Sequence, residues 1–347
     1  MARRQNPEID SFILGNVEEH PVDVASLAAG KFGLSRSSIN RYVRRLINDG
    51  LLVAEGKTKA RRYKLRKIVD ETFKIEGITR NLSEDAVWRH RVLPFLSDAP
   101  QNIIDICQYG FTEMFNNVID HSVSDSALIS IERTYATTEI MVRDFGVGVF
   151  QKIQNDFNLP DPQSALLELS KGKLTSDKKN HAGEGIFLTS RMFDRFRLLS
   201  DVLYYDRKRT TNFEWRIEAC DTDRPFVGTA VGMTISNAAT WTTKEVFARY
   251  LGNTIGFRKT HVPIMLGKYP GEQLVSRSQA KRILARFDEF SEVMLDFEGI
   301  DTIGQAFADE IFRVFQNNHP DIELISLKTN EDVQMMIDHV RSQQTDA

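Results

Sequence analysis

The first 50 residues carry apolar side chains at helical spacing in three short runs. Ile9, Phe12 and Ile13 begin the first run, Pro21 breaks it, and Gly33 ends the second. The third run follows directly, and two strand-like runs with a basic turn between them come next. The pattern predicts three helices followed by a β-hairpin.

A long amphipathic helix is predicted after residue 100, where apolar residues recur at spacings of three and four. Glu113, Asn117 and His121 lie four residues apart on a different stripe, so they share one face. A carboxamide oxygen of Asn117 suits Mg²⁺, and Glu113 can activate a water or a hydroxyl. The polar face of an ordinary surface helix would explain the same spacing.

Two glycine pairs follow. A strand-like run ends in Asp144, whose carboxylate can accept a hydrogen bond from an adenine amino group. Gly146 and Gly148 would let the backbone approach a base closely. Gly183 and Gly185 lead into a further helix, where exposed N–H groups suit a phosphate. Neither pair has the third glycine of the dinucleotide fingerprint, and each pair alone indicates little more than a turn.

The stretch from about residue 150 to 180 is rich in polar residues. It is too polar for a core, and its length is typical of a functional loop. We therefore expect a lid over the glycine-containing segments.

The order of these pieces is more specific than any one of them. The chain contains, in sequence, EMFNNVIDHS, RDFGVGV, HAGEGIFL and Gly228-Thr229. This order resembles the GHKL (Bergerat) ATP-binding fold over roughly residues 90–240, and it is most similar to the anti-sigma-factor serine kinases. The resemblance implies an α/β sandwich that binds ATP and Mg²⁺ beneath a flexible lid.

Site roles can be carried over from this resemblance by position. Glu113 would be the catalytic base and Asn117 the magnesium ligand. Asp144 would bind adenine, and Gly146 and Gly148 would shape the pocket around it.

The phosphates would be held by Gly183 and Gly185, and Thr229 would support the adenine-binding aspartate through a water molecule. The lid is longer than in the small anti-sigma-factor kinases. Which lid lysine meets the γ-phosphate is therefore open among Lys171, Lys173, Lys178 and Lys179.

Positive charge is concentrated near the N-terminus. Residues 31–67 hold twelve Lys or Arg and two acids, although the net charge of the whole chain is -3. The segment SRSSINRYVRRLINDGLLV resembles the recognition helix and wing of bacterial winged-helix regulators. Charge and motif together predict DNA binding, with a protein-interaction winged helix as the alternative. The predicted DNA-binding residues are Arg36, Asn40, Arg41, Arg44, Lys57, Lys59 and Arg61.

From about residue 260, strands alternate with helices, which indicates a small α/β domain. The segment EVMLDFEGIDTIGQAFADEIF resembles a STAS domain, the fold of anti-sigma-factor antagonists. Phosphorylatable STAS domains carry Ser or Thr at the start of the helix after this strand. Gly304, Gln305 and Ala306 occupy that place here, which favours a docking or dimerisation module over a phosphorylation switch.

A chain of 347 residues favours two or three domains. We predict an α/β multidomain protein: a winged helix-turn-helix at 1–68, a GHKL α/β sandwich with its connector at 69–257, and a small STAS-like α/β domain at 258–347. No apolar run approaches membrane-spanning length, and the N-terminus lacks the layout of a signal peptide. We therefore expect a cytoplasmic protein without a membrane partner.

These features predict an ATP-binding and ATP-hydrolysing prokaryotic regulator that couples its nucleotide state to DNA or to a protein partner of the STAS-like domain. The alternative is a protein serine/threonine kinase of the anti-sigma-factor type that acts on a separate substrate. A non-enzymatic nucleotide-binding scaffold is disfavoured by the carboxylate of Glu113. Many GHKL proteins dimerise on ATP binding, so a homodimer also stays open.

Overall fold

The computed structural model describes residues 6–57, 61–174, 184–209, 215–219, 226–251, 258–269 and 271–343. This part of the chain has a mixed α/β architecture with several sheets, as predicted. In the same residues, no helix has both the length and the apolar character needed to cross a membrane.

The N-terminal unit has its own apolar core. It consists of α1 (Pro7–Asn16), α2 (Val24–Phe32), α3 (Arg36–Asn48), β1 (Leu52–Glu55) and β2 (Arg62–Leu65). The Ser35 hydroxyl begins α3 by accepting a hydrogen bond from the N–H of Ser38 at 3.2 Å. The two strands form an antiparallel hairpin. The predicted order of three helices and a hairpin is therefore present, whereas its assignment to the winged-helix fold stays a prediction.

A seven-stranded antiparallel sheet forms the centre of the protein, in the order β3-β4-β5-β9-β6-β7-β8. Its strands are β3 (Lys67–Glu76), β4 (Ser126–Thr134), β5 (Thr137–Asp144), β6 (Arg195–Asp201), β7 (Leu203–Lys208), β8 (Trp215–Ala219) and β9 (Phe226–Ser236). Buried and half-buried side chains alternate along β5, so one face of the sheet carries the core.

Helices of the central unit lie on this face of the sheet or pack against the helices that do. They are α4 (Glu84–Val87), continued by the π-helical Trp88–Val92 and the 3-10 turn Leu93–Leu96, and then α5 (Gln101–His121), α6 (Val149–Phe157), α7 (Pro162–Lys171), α8 (Gly185–Met192) and α9 (Thr243–Leu251). The long helix α5 packs on β5 and β9, whereas α6 and α8 pack on β6. These three helices therefore lie over the central strands of the sheet.

The mixed charge and the two prolines of residues 68–100 predict a connector, but the structure places most of β3 and helix α4 there. β3 pairs along nearly the whole of β4, and the predicted domain boundary after residue 68 falls inside it. Trp88, Val92 and Leu96 are fully buried in the central core. The strand was missed because its side chains are mostly exposed at the sheet edge, so its apolar alternation is weak.

The expectation that residues 150–180 are too polar for a core is wrong for the described part of that stretch. Residues 149–157 and 162–171 form α6 and α7, and every residue from Ser164 to Lys171 is buried. Asp161 begins α7 by accepting a hydrogen bond from the N–H of Ser164 at 2.7 Å. The reason is tertiary, because the C-terminal unit packs against α7 and covers its polar side chains.

The C-terminal unit has a three-stranded parallel sheet in the order β10-β11-β12. Its strands are β10 (Lys259–Pro263), β11 (Glu292–Asp296) and β12 (Glu323–Leu327). Its helices are α10 (Arg277–Leu284), α11 (Gln305–Asp309) with the π-helical Glu310–Phe315, α12 (Gln316–Asn318) and α13 (Glu331–Ser342), and it has 3-10 turns at Ile264–Gly267 and Phe287–Glu289.

Two details of this unit differ from the sequence-based expectation. β10 was not predicted, because its five residues include a histidine and a proline that hide the strand pattern. The sequence from Ser276 to Phe290 predicts a single helix, but α10 ends at Leu284 because Arg286 adopts a left-handed backbone conformation with φ of 62°.

Candidate nucleotide site

A cavity of about 360 Å³ lies where α5, α6 and α8 meet the ends of β5 and β9. Segments far apart in the sequence supply its walls. The predicted site residues that line it are Glu113, Asn117, Asp144, Gly148, Gly185 and Thr229. The structure thus brings six residues together that sequence spacing could only associate in pairs.

Helix α5 presents its polar stripe to this cavity. Glu113, Asn117 and His121 line it at successive turns, as their spacing of four predicts. The core side of the same helix carries Phe111 and Phe115, which are fully buried and stack with ring centroids 5.4 Å apart. Packing of the apolar side of α5 in the core therefore turns its polar side towards the cavity.

Asp144 stands at the end of β5 and is almost fully buried in the cavity wall. Its Oδ1 accepts hydrogen bonds from the N–H of Gly146 at 2.9 Å and from the N–H of Thr229 at 3.2 Å. Burial raises the pKa of this carboxyl, while the two N–H donors favour its ionised form. The resulting carboxylate is held in a fixed orientation.

Thr229 contacts Asp144 directly through its backbone, in addition to any water-mediated role that the family resemblance implies. Its hydroxyl accepts a hydrogen bond from the N–H of Val149 at 2.9 Å, at the first turn of α6. Thr229 therefore ties β9 to both the aspartate and the helix that closes the cavity.

Two of the predicted glycines lie where an added side chain would collide with a neighbour. A Cβ at Gly146 would lie 1.8 Å from the carbonyl oxygen of Ser122, at the end of α5. Gly146 itself does not line the cavity, and it acts by holding the turn after β5 against α5. A Cβ at Gly185 would lie 2.1 Å from Oε2 of Glu113, so a side chain at this position would displace that carboxylate.

The N-terminus of α8 opens at the cavity, and its first residue is Gly185. Exposed N–H groups and the positive end of the helix dipole suit a phosphate at this position. Glu184 lies at the same edge, where burial raises the pKa of its carboxyl. Gly183, the other predicted phosphate-binding glycine, lies outside the described residues.

The four candidate lid lysines differ in position. Lys171 is fully buried, and its Nζ donates to Oε1 of Glu168 at 2.6 Å and to the carbonyl of Ala285 at 2.8 Å, so its candidacy for the γ-phosphate is wrong in this conformation. Lys173 donates to the carbonyl of Glu289 in the C-terminal unit. Lys178 and Lys179 lie outside the described residues.

Sequence reasoning missed a different lysine. Lys152 on α6 lines the cavity and pairs with Asp156 at 3.0 Å. The spacing of four between the two residues was the signal available, but such pairs are common on solvent-facing helices.

The described residues contain no group of three or more His, Cys, Asp or Glu side chains that could hold a metal ion. Asn117 supplies one neutral oxygen donor at the cavity. Mg²⁺ in nucleotide sites keeps several water ligands and takes others from substrate phosphates. The donor set therefore fits a magnesium ion that arrives with a nucleotide.

The basic N-terminal side chains form a separate surface. Arg36, Arg41 and Arg44 are exposed on α3, and Asn40 is half-buried between them. Lys57 and Arg61 are exposed at the hairpin, whereas Lys59 lies outside the described residues. The opposite side of α3 buries Ile39, Val43 and Leu46. Helix α3 thus presents its basic side to solvent because its apolar side is held in the core.

The position of a STAS phosphoacceptor lies at the start of α11. Gln305 is its first residue and is exposed, and Gly304 precedes it. A Cβ at Gly304 would lie 2.8 Å from Cα of Val275, so close packing against the preceding segment accounts for this glycine.

Comparison with known families gives one match. Residues 279–334 match the family described as STAS-like domain of unknown function (DUF4325). Comparison with curated proteins found no match to the chain. The matched residues run from α10 to the start of α13, and they confirm the resemblance noted for this segment. The C-terminal part of the chain is therefore a STAS-like domain.

Proposed function

We propose that this protein is an ATP-dependent regulator with a GHKL-type nucleotide site in its central unit. One observation carries the proposal: a single cavity collects Glu113, Asn117 and Asp144 with two glycines and a threonine from separate segments. These residues belong to segments that are far apart in the sequence. Their convergence on one cavity is what an ATP site of this type requires.

Asp144 would bind the adenine amino group, because its buried carboxylate is already oriented by two backbone N–H donors. Val142, Leu198 and Val231 line the same cavity and supply apolar contacts for a flat base. The first turn of α8 would receive the phosphates.

Asn117 would help to hold a magnesium ion, which would supply positive charge to offset that of the phosphates. Glu113 lies one turn away on α5, beside the N-terminus of α8. From there its carboxylate would take a proton from a water molecule or a substrate hydroxyl during attack on the terminal phosphate. This position of Glu113 would suit both hydrolysis of ATP and transfer of its terminal phosphate to a substrate hydroxyl.

Glu113→Gln is expected to abolish turnover of labelled ATP with magnesium while preserving ATP binding, because the amide keeps the shape but cannot accept the proton. Release of free phosphate by the parent protein indicates hydrolysis, and label on an added protein indicates a kinase. Asp105→Asn is the matched control, since Asp105 is exposed two turns earlier on α5. Turnover that survives in the Gln variant contradicts the assignment of the base.

The N-terminal unit is proposed to be a winged helix that binds DNA. Its support is the exposed row of Arg36, Arg41 and Arg44 on α3, together with Lys57 and Arg61 on the hairpin. Arginine can read guanine edges and also bind phosphates, and lysine suits the backbone.

Helix α7 supports a route from the nucleotide site to the STAS-like domain. Leu169 lines the cavity, while the neighbouring Lys171 donates to the carbonyl of Ala285 in the C-terminal unit. Arg286 donates to Glu168 at 3.2 Å, and Thr260 donates to the carbonyl of Lys171 at 2.7 Å. A nucleotide that moves α7 must therefore change contacts with the STAS-like domain, which we propose as the output surface.

A further inference from the structure

A second cavity, of about 290 Å³, lies at the opposite end of α8 from the candidate nucleotide site. Four arginines line it: Arg191 from the last turn of α8, Arg207 and Arg209 from the end of β7 and the residue after it, and Arg249 from α9. Glu245 is the one carboxylate among the described lining residues. The lining therefore has an excess of positive charge, which the carboxylate of Asp194, outside the lining, offsets in part at Arg207 and Arg209.

Two of these guanidinium groups are buried. Arg191 is 3% exposed and donates to the backbone carbonyl of His261. Arg207 is 1% exposed and donates to the backbone carbonyl of Ser190. Burial, with Arg191 close by, lowers the pKa of Arg207 to about 9. Like charges in a buried position oppose each other, so a bound anion would stabilise both.

Arg209 is held in place by stacking. Its guanidinium lies over the ring of Trp241 at 3.7 Å from the centroid. The indole N–H of Trp241 donates to the carbonyl of Met192 at 2.8 Å, which fixes the ring. Such a planar, oriented guanidinium is suited to two parallel hydrogen bonds with an oxyanion.

The carboxylate of Glu245 already accepts hydrogen bonds from Thr242. Oε2 of Glu245 accepts hydrogen bonds from the N–H of Thr242 at 2.8 Å and from its hydroxyl at 3.1 Å, at the start of α9. It therefore serves as a helix cap, and it cannot balance four guanidinium groups alone.

We propose that this cavity is a binding site for a compact phosphate-type oxyanion, either a free phosphate or diphosphate or the phosphate group of a small ester. Arg191, Arg207 and Arg209 form its base, and the exposed Arg249 stands at its mouth. The site is separate from the candidate ATP site and independent of the proposed function, although α8 contacts both cavities.

Calorimetric titration of the full chain with inorganic phosphate, pyrophosphate and phenyl phosphate at constant ionic strength tests this site. We expect saturable binding, weakened roughly tenfold by Arg209→Ala and by Arg249→Ala, because each removes a charged hydrogen-bond donor. Lys244→Ala is the matched control, since Lys244 is exposed on the same helix as Arg249 but does not line the cavity. Stronger binding of phenyl phosphate identifies an ester as the ligand class, and stronger binding of the inorganic anions identifies a free anion.

A second variant distinguishes loss of the anion site from misfolding. Arg249→Glu places a carboxylate at the mouth of the cavity, so it should abolish phosphate binding and raise the Tm of the anion-free protein. Unchanged ATP affinity in the variants would show that the other cavity is intact. Absence of phosphate binding by the parent protein, or equal binding by the parent, Arg209→Ala and Arg249→Ala proteins, overturns the proposal.

Discussion

Asp144 is oriented to bind a ligand, but its burial lowers the stability of the protein when no nucleotide is bound. Its carboxylate is 4% exposed, and burial raises its pKa. A raised pKa in the folded state means that folding favours the protonated form, so ionisation of Asp144 opposes folding at pH values above that pKa. An adenine amino group in the cavity would compensate the ionised form.

Asp144→Asn is therefore expected to lower ATP affinity by roughly tenfold or more, since a hydrogen bond to a charged group contributes about 1.5–3 kcal/mol. The Tm of the nucleotide-free variant should equal or exceed that of the parent protein at neutral pH. Calorimetry with ATP and thermal melts without it measure the two effects.

The pH dependence follows from the same shift. As the pH falls through the raised pKa, Asp144 becomes protonated, so ATP affinity of the parent protein should fall and the stability difference from the variant should shrink. Undiminished ATP affinity in Asp144→Asn would contradict the adenine role.

At the scale of single elements, α3 is the clearest case of a helix with two functions on two sides. Ile39, Val43 and Leu46 anchor it, and Arg41 and Arg44 face solvent. The two arginines contribute nothing to the apolar core, so they can be changed without loss of the fold.

Arg41→Ala combined with Arg44→Ala should weaken DNA binding and reduce the slope of log affinity against log salt by roughly 2, because each lost phosphate contact lowers that slope by about 0.9. Binding to a DNA fragment across a salt series measures both. Arg80→Ala with Arg89→Ala is the charge-matched control, since both arginines are exposed outside the N-terminal unit. Identical salt slopes for the two double variants would reject α3 as the DNA-binding helix.

For the whole molecule, α7 is the element that joins the central unit to the STAS-like domain. The central and C-terminal cores are continuous, and buried Lys171 lies between them with Glu168, Arg286 and Ala285. Burial lowers the pKa of Lys171, while the neighbouring Glu168 opposes that effect. The lysine is thus a structural link between two units.

Lys171→Met should lower the free energy of unfolding by roughly 3 kcal/mol, because removal of one partner of a buried ion pair leaves the other without full compensation. Urea denaturation measures the loss. Lys152→Met is the control: Lys152 also pairs with a carboxylate in its own helix, but the pair is partly exposed, so we expect a loss of less than about 1 kcal/mol. Equal losses in both variants would show that Lys171 does not stabilise the interface.

Much of the local structure could be predicted from the sequence. The bounds of α3 follow from Ser35 and from apolar residues at helical spacing, and the shared face of Glu113 and Asn117 follows from their separation of four. The STAS-like character of the C-terminal segment was also recognisable. These features depend on residues close together in the chain, so short-range pattern is sufficient for them.

The remaining features depend on contacts between distant segments. Lys171 belongs to a polar stretch that reads as a loop, yet Ala285 and Glu168 hold it in the interior. The four arginines of the second cavity lie on α8, at and just after the end of β7, and on α9, so their separation in the sequence does not predict that they are close. The sequence by itself determined the helices with clear apolar spacing, such as α3 and α5, together with the STAS-like segment and the chemistry of the candidate nucleotide residues. Tertiary structure decided which of those residues share a cavity and which polar residues are buried, because burial depends on what packs against a segment.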